Sequence, residues 1–133
     1  MYIEKLERNP SGPVVTVTIN YNEAMDLLKK NGILFGISVC YTSKNVPSVT
    51  SDEFMDLMVE KGAKFALYFA YMPVGHDAVP ELIPQPDDRV HMYKWLRQVR
   101  NSKTGKPMFV MDFQNDAEYV GGCIAGGRNY FHI

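Results

Sequence analysis

Hydrophobic and polar positions alternate along this chain with two different periods, and the switches between them mark the elements. The stretch 13–20, "PVVTVTIN", is β-branched and bounded by Gly12-Pro13, which predicts a strand. Next, 22–32 carries Ala24, Leu27 and Leu28 at helical spacing, with Asn22 as the expected N-cap and Gly32 after two lysines as the expected stop. Strict period two then runs over 33–42. Ile33, Phe35, Ile37, Val39 and Tyr41 form a large apolar face, and Gly36, Ser38, Cys40 and Thr42 a small polar one.

Helical spacing returns over 49–62, where Thr50 and Glu53 read as a capping box, Phe54, Leu57 and Met58 as the buried stripe, and Gly62 as the end. The run 64–72 is apolar on both faces, as in a strand covered on both sides. Proline-rich 72–86 reads as a long loop, and 87–102 as a helix with Met92, Trp95, Leu96 and Val99 facing inward. Strands are expected at 106–113 and 129–133.

This order predicts a single α/β domain over 1–133, with a parallel sheet of four to five strands and crossover helices. It fits an open sheet or half of a TIM-type barrel. The small face of 33–42 favours the barrel, with bulk towards the helices and small groups lining the lumen.

Composition narrows the class. Hydrophobic residues make up 46% and charged residues 22% of the 133 positions, which is ordinary for a globular domain. A net charge of -1 without a Lys/Arg cluster argues against nucleic acid as a partner. No apolar run approaches the roughly 20 residues that cross a bilayer, so no membrane partner is expected. Cys40 and Cys123 are too few for a disulfide scaffold, so the expected compartment is the cytoplasm.

Parallel sheets carry their chemistry beyond the C-terminal ends of strands. Those ends supply Thr42, Ser43 and Asn45, then Tyr71, Gly75, His76 and Asp77, then Asp112, Gln114, Asn115 and Asp116. Two readings stand level: a polar ligand edge, or the ordinary polarity of loops in which Asn and Asp make turns. His76-Asp77 could be a base and its orienting carboxylate, although a histidine in a Pro/Gly loop is more often simply exposed. His91 and His132 make no metal spacing with a cysteine, and "GGCIAGG" fits neither phosphate-loop pattern. Its glycines would let the backbone fold closely round a ligand on Cys123, but one thiolate cannot hold a cluster, and an inert Cys123 is the plain reading.

The blocks "LFGISVCYTSKN", "VTSDEFMDLMVEKGAKFALYFAYMPVG", "MFVMDFQND" and "GGCIAGGRNYFHI" resemble, in order, segments of radical SAM enzymes with a cysteine-rich (SPASM-like) C-terminal extension. The resemblance covers residues 22–133 and leaves 1–20, with its one strand, unmatched. It implies a partial or full (β/α) barrel in which a four-iron four-sulfur cluster cleaves S-adenosylmethionine to make a 5′-deoxyadenosyl radical. It also implies that Cys123 helps ligate an auxiliary iron–sulfur cluster in the full-length enzyme. Thr42, Asn45 and Asp112 would lie at the SAM-binding edge.

Two family motifs are missing: C-x-x-x-C-x-x-C, which holds the catalytic cluster, and the glycine-glycine-acid motif. The remaining auxiliary ligands would follow "YFHI". The expectation is therefore a C-terminal half-barrel fragment of an oxidoreductase, inactive by itself and binding no cofactor alone. Its partner would be the remainder of the enzyme or a second copy, paired through open sheet edges. The alternative is a free-standing or recombined half-barrel that binds a nucleoside-like ligand or has no function.

Overall fold

The structure is a computed structural model and describes residues 2–7, 15–76, 78–101, 105–117 and 121. It opens with a hairpin in which β1 (Tyr2–Glu7) pairs antiparallel with β2 (Val15–Asn20), from Tyr2 opposite Asn20 to Glu7 opposite Val15. Helix α1 (Tyr21–Lys30) follows without a break. Then come β3 (Gly36–Tyr41), the short α2 (Val46–Val49), α3 (Asp52–Lys61), β4 (Phe65–Ala70), α4 (Pro86–Val99) and β5 (Phe109–Asp112). A single 3-10 turn at Pro80–Leu82 interrupts the long loop before α4.

The fold is α/β, with an open parallel sheet of three strands in the order β3-β4-β5. The expected four to five parallel strands are thus reduced among the described residues. β2 belongs to the hairpin, whose antiparallel ladder already satisfies one side of its backbone. β1 escaped sequence reading because Glu4, Lys5 and Glu7 crowd its six residues and hide a strand pattern. The strand expected at 129–133 lies outside the described residues.

One face of the sheet is the core. Tyr41, Ala66, Tyr68 and Val110 are buried there against Met55 and Met58 of α3 and Met92 and Leu96 of α4. Both crossover helices therefore cover the same face, as right-handed connections between strands added in one direction require. Each fully buried methionine or leucine contributes about 1.5–3 kcal/mol of transfer free energy. Tyr68 ties the layers together: its ring meets Trp95 edge-on at 5.2 Å, and its hydroxyl donates to the Val49 carbonyl at 2.8 Å. The opposite face, with Phe65, Leu67, Phe69 and Met111, is only half-buried, so β4 is not covered on both sides as its composition predicts.

Helix ends shift for local reasons. Thr50 cannot start α3, because it closes α2: its hydroxyl donates back to the Val46 carbonyl at 2.8 Å. The cap passes to Ser51, which is extended and accepts the Phe54 N–H at 3.2 Å. Met55 and Met58 form the buried stripe, whereas Leu57 is 43% exposed. Likewise Asn20, not Asn22, caps α1, accepting the Asn22 N–H at 3.0 Å. The helix buries none of its residues fully, and Leu27 faces outward. Gly62 ends α3 as expected, at a φ of 97° that favours glycine.

Candidate functional site

The C-terminal ends of β3, β4 and β5 gather the polar residues that the sequence pointed to, and their side chains are bonded mainly within their own loops. Asn45 closes the β3 loop from both ends of its amide. Its Oδ1 accepts the Thr42 N–H at 2.7 Å, and its Nδ2 donates to the Cys40 carbonyl at 3.1 Å. The Thr42 hydroxyl accepts the Lys44 N–H at 3.2 Å. The loop after β4 is fastened over this end: Ser43 N–H donates to the Leu82 carbonyl at 3.1 Å, and the Tyr71 hydroxyl accepts the Val79 N–H at 2.9 Å.

At the end of β5, the fully buried Asp112 carboxylate organises a turn. It accepts the backbone N–H of Gln114 and Asn115 at 3.0 and 3.1 Å, and the Asn115 side-chain amide at 2.9 Å. Gln114 Oε1 reaches across to the Ala70 N–H at 3.0 Å, joining this turn to β4. Tyr41 stands nearby, fully buried, and its hydroxyl has no hydrogen-bond partner among the described residues. Burial first, then the negative charge of Asp112, pushes the phenol well above its ordinary range.

A second arrangement seals the outside of β5. Val110 and Asp112 direct their backbone groups away from β4. The Val110 carbonyl accepts Arg100 Nε at 2.8 Å, and the Asp112 N–H donates to Asp116 Oδ2 at 2.9 Å. Arg100 then grips the Asp116 carboxylate with both terminal nitrogens, at 2.8 and 2.5 Å. A bidentate pair of this kind fixes direction as well as charge. Sequence reading missed it because Arg100 closes a helix and Asp116 lies beyond the next strand.

The structure brings Tyr41, Thr42, Asn45, Asp112 and Gln114 to one edge of the sheet. His76 is exposed on the long loop, and Asp77 lies outside the described residues. His91 is exposed and sits 2.9 Å from the Thr50 hydroxyl. The Thr50 hydroxyl is also within 2.8 Å of the Val46 carbonyl, so its single proton can serve one of the two contacts at a time. Cys123 and His132 lie outside the described residues.

Among the described residues no group of three His, Cys, Asp or Glu side chains could hold a metal ion, and Cys40 is an exposed free thiol. Two grooves, of about 550 and 360 Å³, border Met108 and Phe109 and Thr50 and Trp95 respectively. Neither is lined by Tyr41, Thr42, Asn45 or Asp112. No helix among the described residues is long and apolar enough to cross a membrane.

No protein-family model matches the chain, and comparison with curated proteins and with solved structures finds no match.

Proposed function

We propose that this chain is a wall segment of the (β/α) barrel of a radical SAM iron–sulfur oxidoreductase, and that its activity belongs to the larger enzyme. The observation that supports this is the strand order. β3, β4 and β5 succeed one another without reversal, with both crossover helices on one face and small residues of β3 on the other. A barrel wall is built in this way, and the resemblance of the sequence blocks supplies the family. The described residues do not fit an iron–sulfur cluster, since they offer Cys40 alone and no metal-holding group. No radical step is therefore assigned to them. Thr42, Asn45 and Asp112 act here as loop-forming groups that shape the edge where S-adenosylmethionine would lie.

The reading is tested on the DNA flanking this reading frame in its source. It expects C-x-x-x-C-x-x-C upstream in frame and "G-x-V-x-P-C" downstream. It also expects no 5′-deoxyadenosine from the chain alone after anaerobic treatment with iron, sulfide and reductant. A self-contained frame without those motifs, or 5′-deoxyadenosine made by the chain itself, would overturn it.

A second reading, a free-standing module that binds a nucleoside-like ligand at the same edge, draws on the buried Tyr41 hydroxyl beside Asp112, which meets no well-aligned partner among the described residues. It is the weaker one, because Thr42, Asn45 and Asp112 are bonded within their own loops. A flat calorimetric titration with S-adenosylmethionine and with 5′-deoxyadenosine would dispose of it.

A further inference from the structure

We propose that the outer edge of β3 pairs antiparallel with the same edge of a second copy of this chain, joining two three-stranded sheets into one. The inference concerns the 133-residue chain by itself and does not rest on the radical SAM reading.

In a parallel pair, alternate residues turn both N–H and C=O towards the neighbouring strand. The Tyr71 N–H donates to the Tyr41 carbonyl at 2.9 Å, so Tyr41, and with it Val39 and Ile37, faces β4. Gly36, Ser38 and Cys40 must then direct theirs outward. Among the described residues, of these groups only the Cys40 carbonyl is met, by Asn45 Nδ2. The N–H and C=O of Gly36 and Ser38, and the N–H of Cys40, have no partner among the described residues.

The other edge of the sheet is largely held by side chains. On β5 the outward carbonyl of Val110 and the outward N–H of Asp112 are held by Arg100 and Asp116. Among the described residues of this sheet, β3 thus presents an open edge and β5 one largely held by side chains. Antiparallel pairing of β3 with the partner's β3 is a closed two-fold contact that uses up both of those edges.

A second copy suits that edge. From Ile33 to Ser43 the chain carries no charge and no proline, the two residue types that commonly keep edge strands apart. With Ser38 opposite the partner's Ser38, Gly36 falls opposite the partner's Cys40, so the side chains on the half-covered face are all small. In the same register Lys44 falls opposite the partner's Gly32 and Lys30 opposite the partner's Val46, so no like charges meet. On the core face, Ile37 falls opposite the partner's Val39 and extends the apolar layer.

The test is the mass of the chain in solution, by sedimentation or light scattering, beside Ser38→Pro. The Ser38 N–H points outward, so proline there removes no bond that one chain uses for itself. The expected result is twice the 15.1 kDa of one chain for the wild type. Ser38→Pro is expected to weaken association at least about tenfold while keeping the circular dichroism spectrum. Should that variant fail to fold, Ser38→Lys and amide exchange decide the matter. The Gly36, Ser38 and Cys40 amides should exchange slowly in the pair and quickly on dilution. A monomeric wild type, a larger assembly, a pair that both substitutions leave intact, or fast exchange at every concentration would overturn the proposal.

Discussion

Removing the Asp116 carboxylate is the sharpest test of how β5 is held. Asp116 is 6% exposed, and it serves Arg100 and the Asp112 N–H at once. In Asp116→Ala the charge-assisted contact with Arg100 disappears, a loss of about 1.5–3 kcal/mol in general. The lower end applies, since the Arg100 side chain is 29% exposed and can turn to water. The Asp112 N–H, inside a buried residue, is also left without its acceptor, which costs about 1–3 kcal/mol more. The sum is about 3 kcal/mol. With a urea dependence of about 1.5–2 kcal/mol per molar, the unfolding midpoint should fall by about 1.5–2 M at constant slope. Asp116→Asn keeps an acceptor for Asp112 and should lose only about half as much. A double-mutant cycle with Arg100→Met should return a coupling of about 1–2 kcal/mol. An Asp116→Ala midpoint equivalent to less than about 0.5 kcal/mol of change, or zero coupling, would refute the claim that this pair secures the strand.

Two further effects follow from burial. Tyr41 and Tyr68 are both fully buried, and burial holds their phenols above the ordinary value near 10. The folded chain therefore keeps protons that the unfolded chain releases. Stability is complete below about pH 10 and falls above it, by up to about 1.4 kcal/mol per pH unit for each tyrosine. Thermal melts from pH 8 to 11.5 should show this, and Tyr41→Phe should reduce the slope. The same substitution removes a buried hydroxyl that meets no well-aligned partner among the described residues, and should raise neutral stability by about 1 kcal/mol; a loss instead would mean that Asp112 satisfies the hydroxyl. At the start of β3, a Cβ on Gly36 would meet the Phe65 ring and backbone, so Gly36→Ala should destabilise by about 1–3 kcal/mol in urea unfolding. An unchanged midpoint would show that β3 and β4 can separate at that end without cost.

What the sequence revealed and what it hid divide along one physical line. Periodicity reports which side of an element is buried, and there it served well. Met92, Trp95, Leu96 and Val99 do line the core face of α4, and Ile37, Val39 and Tyr41 do face the helices. Periodicity says less where burial is slight: in α1, with no fully buried residue, Ala24 and Leu28 of the expected stripe are half-buried and Leu27 faces outward. It also says nothing about hydrogen-bond partners. Thr50 and Ser51 are equally good caps in a string of letters, and only the presence of α2 assigns the role to Ser51. The candidate site shows the same limit more strongly. That polar residues collect at strand ends was legible, because parallel strands all finish on one edge. Whether Asn45 or Asp112 meets a ligand or its own loop was not, because an amide or carboxylate suits both tasks. Strand order is less local still. The alternation of 33–42 identifies a strand with a small face, but nothing within those residues says that the strand has a single neighbour among the described residues. That fact, together with the pairing of Arg100 and Asp116 across β5, leaves the two edges of the sheet unequal among the described residues, β5 largely held and β3 open.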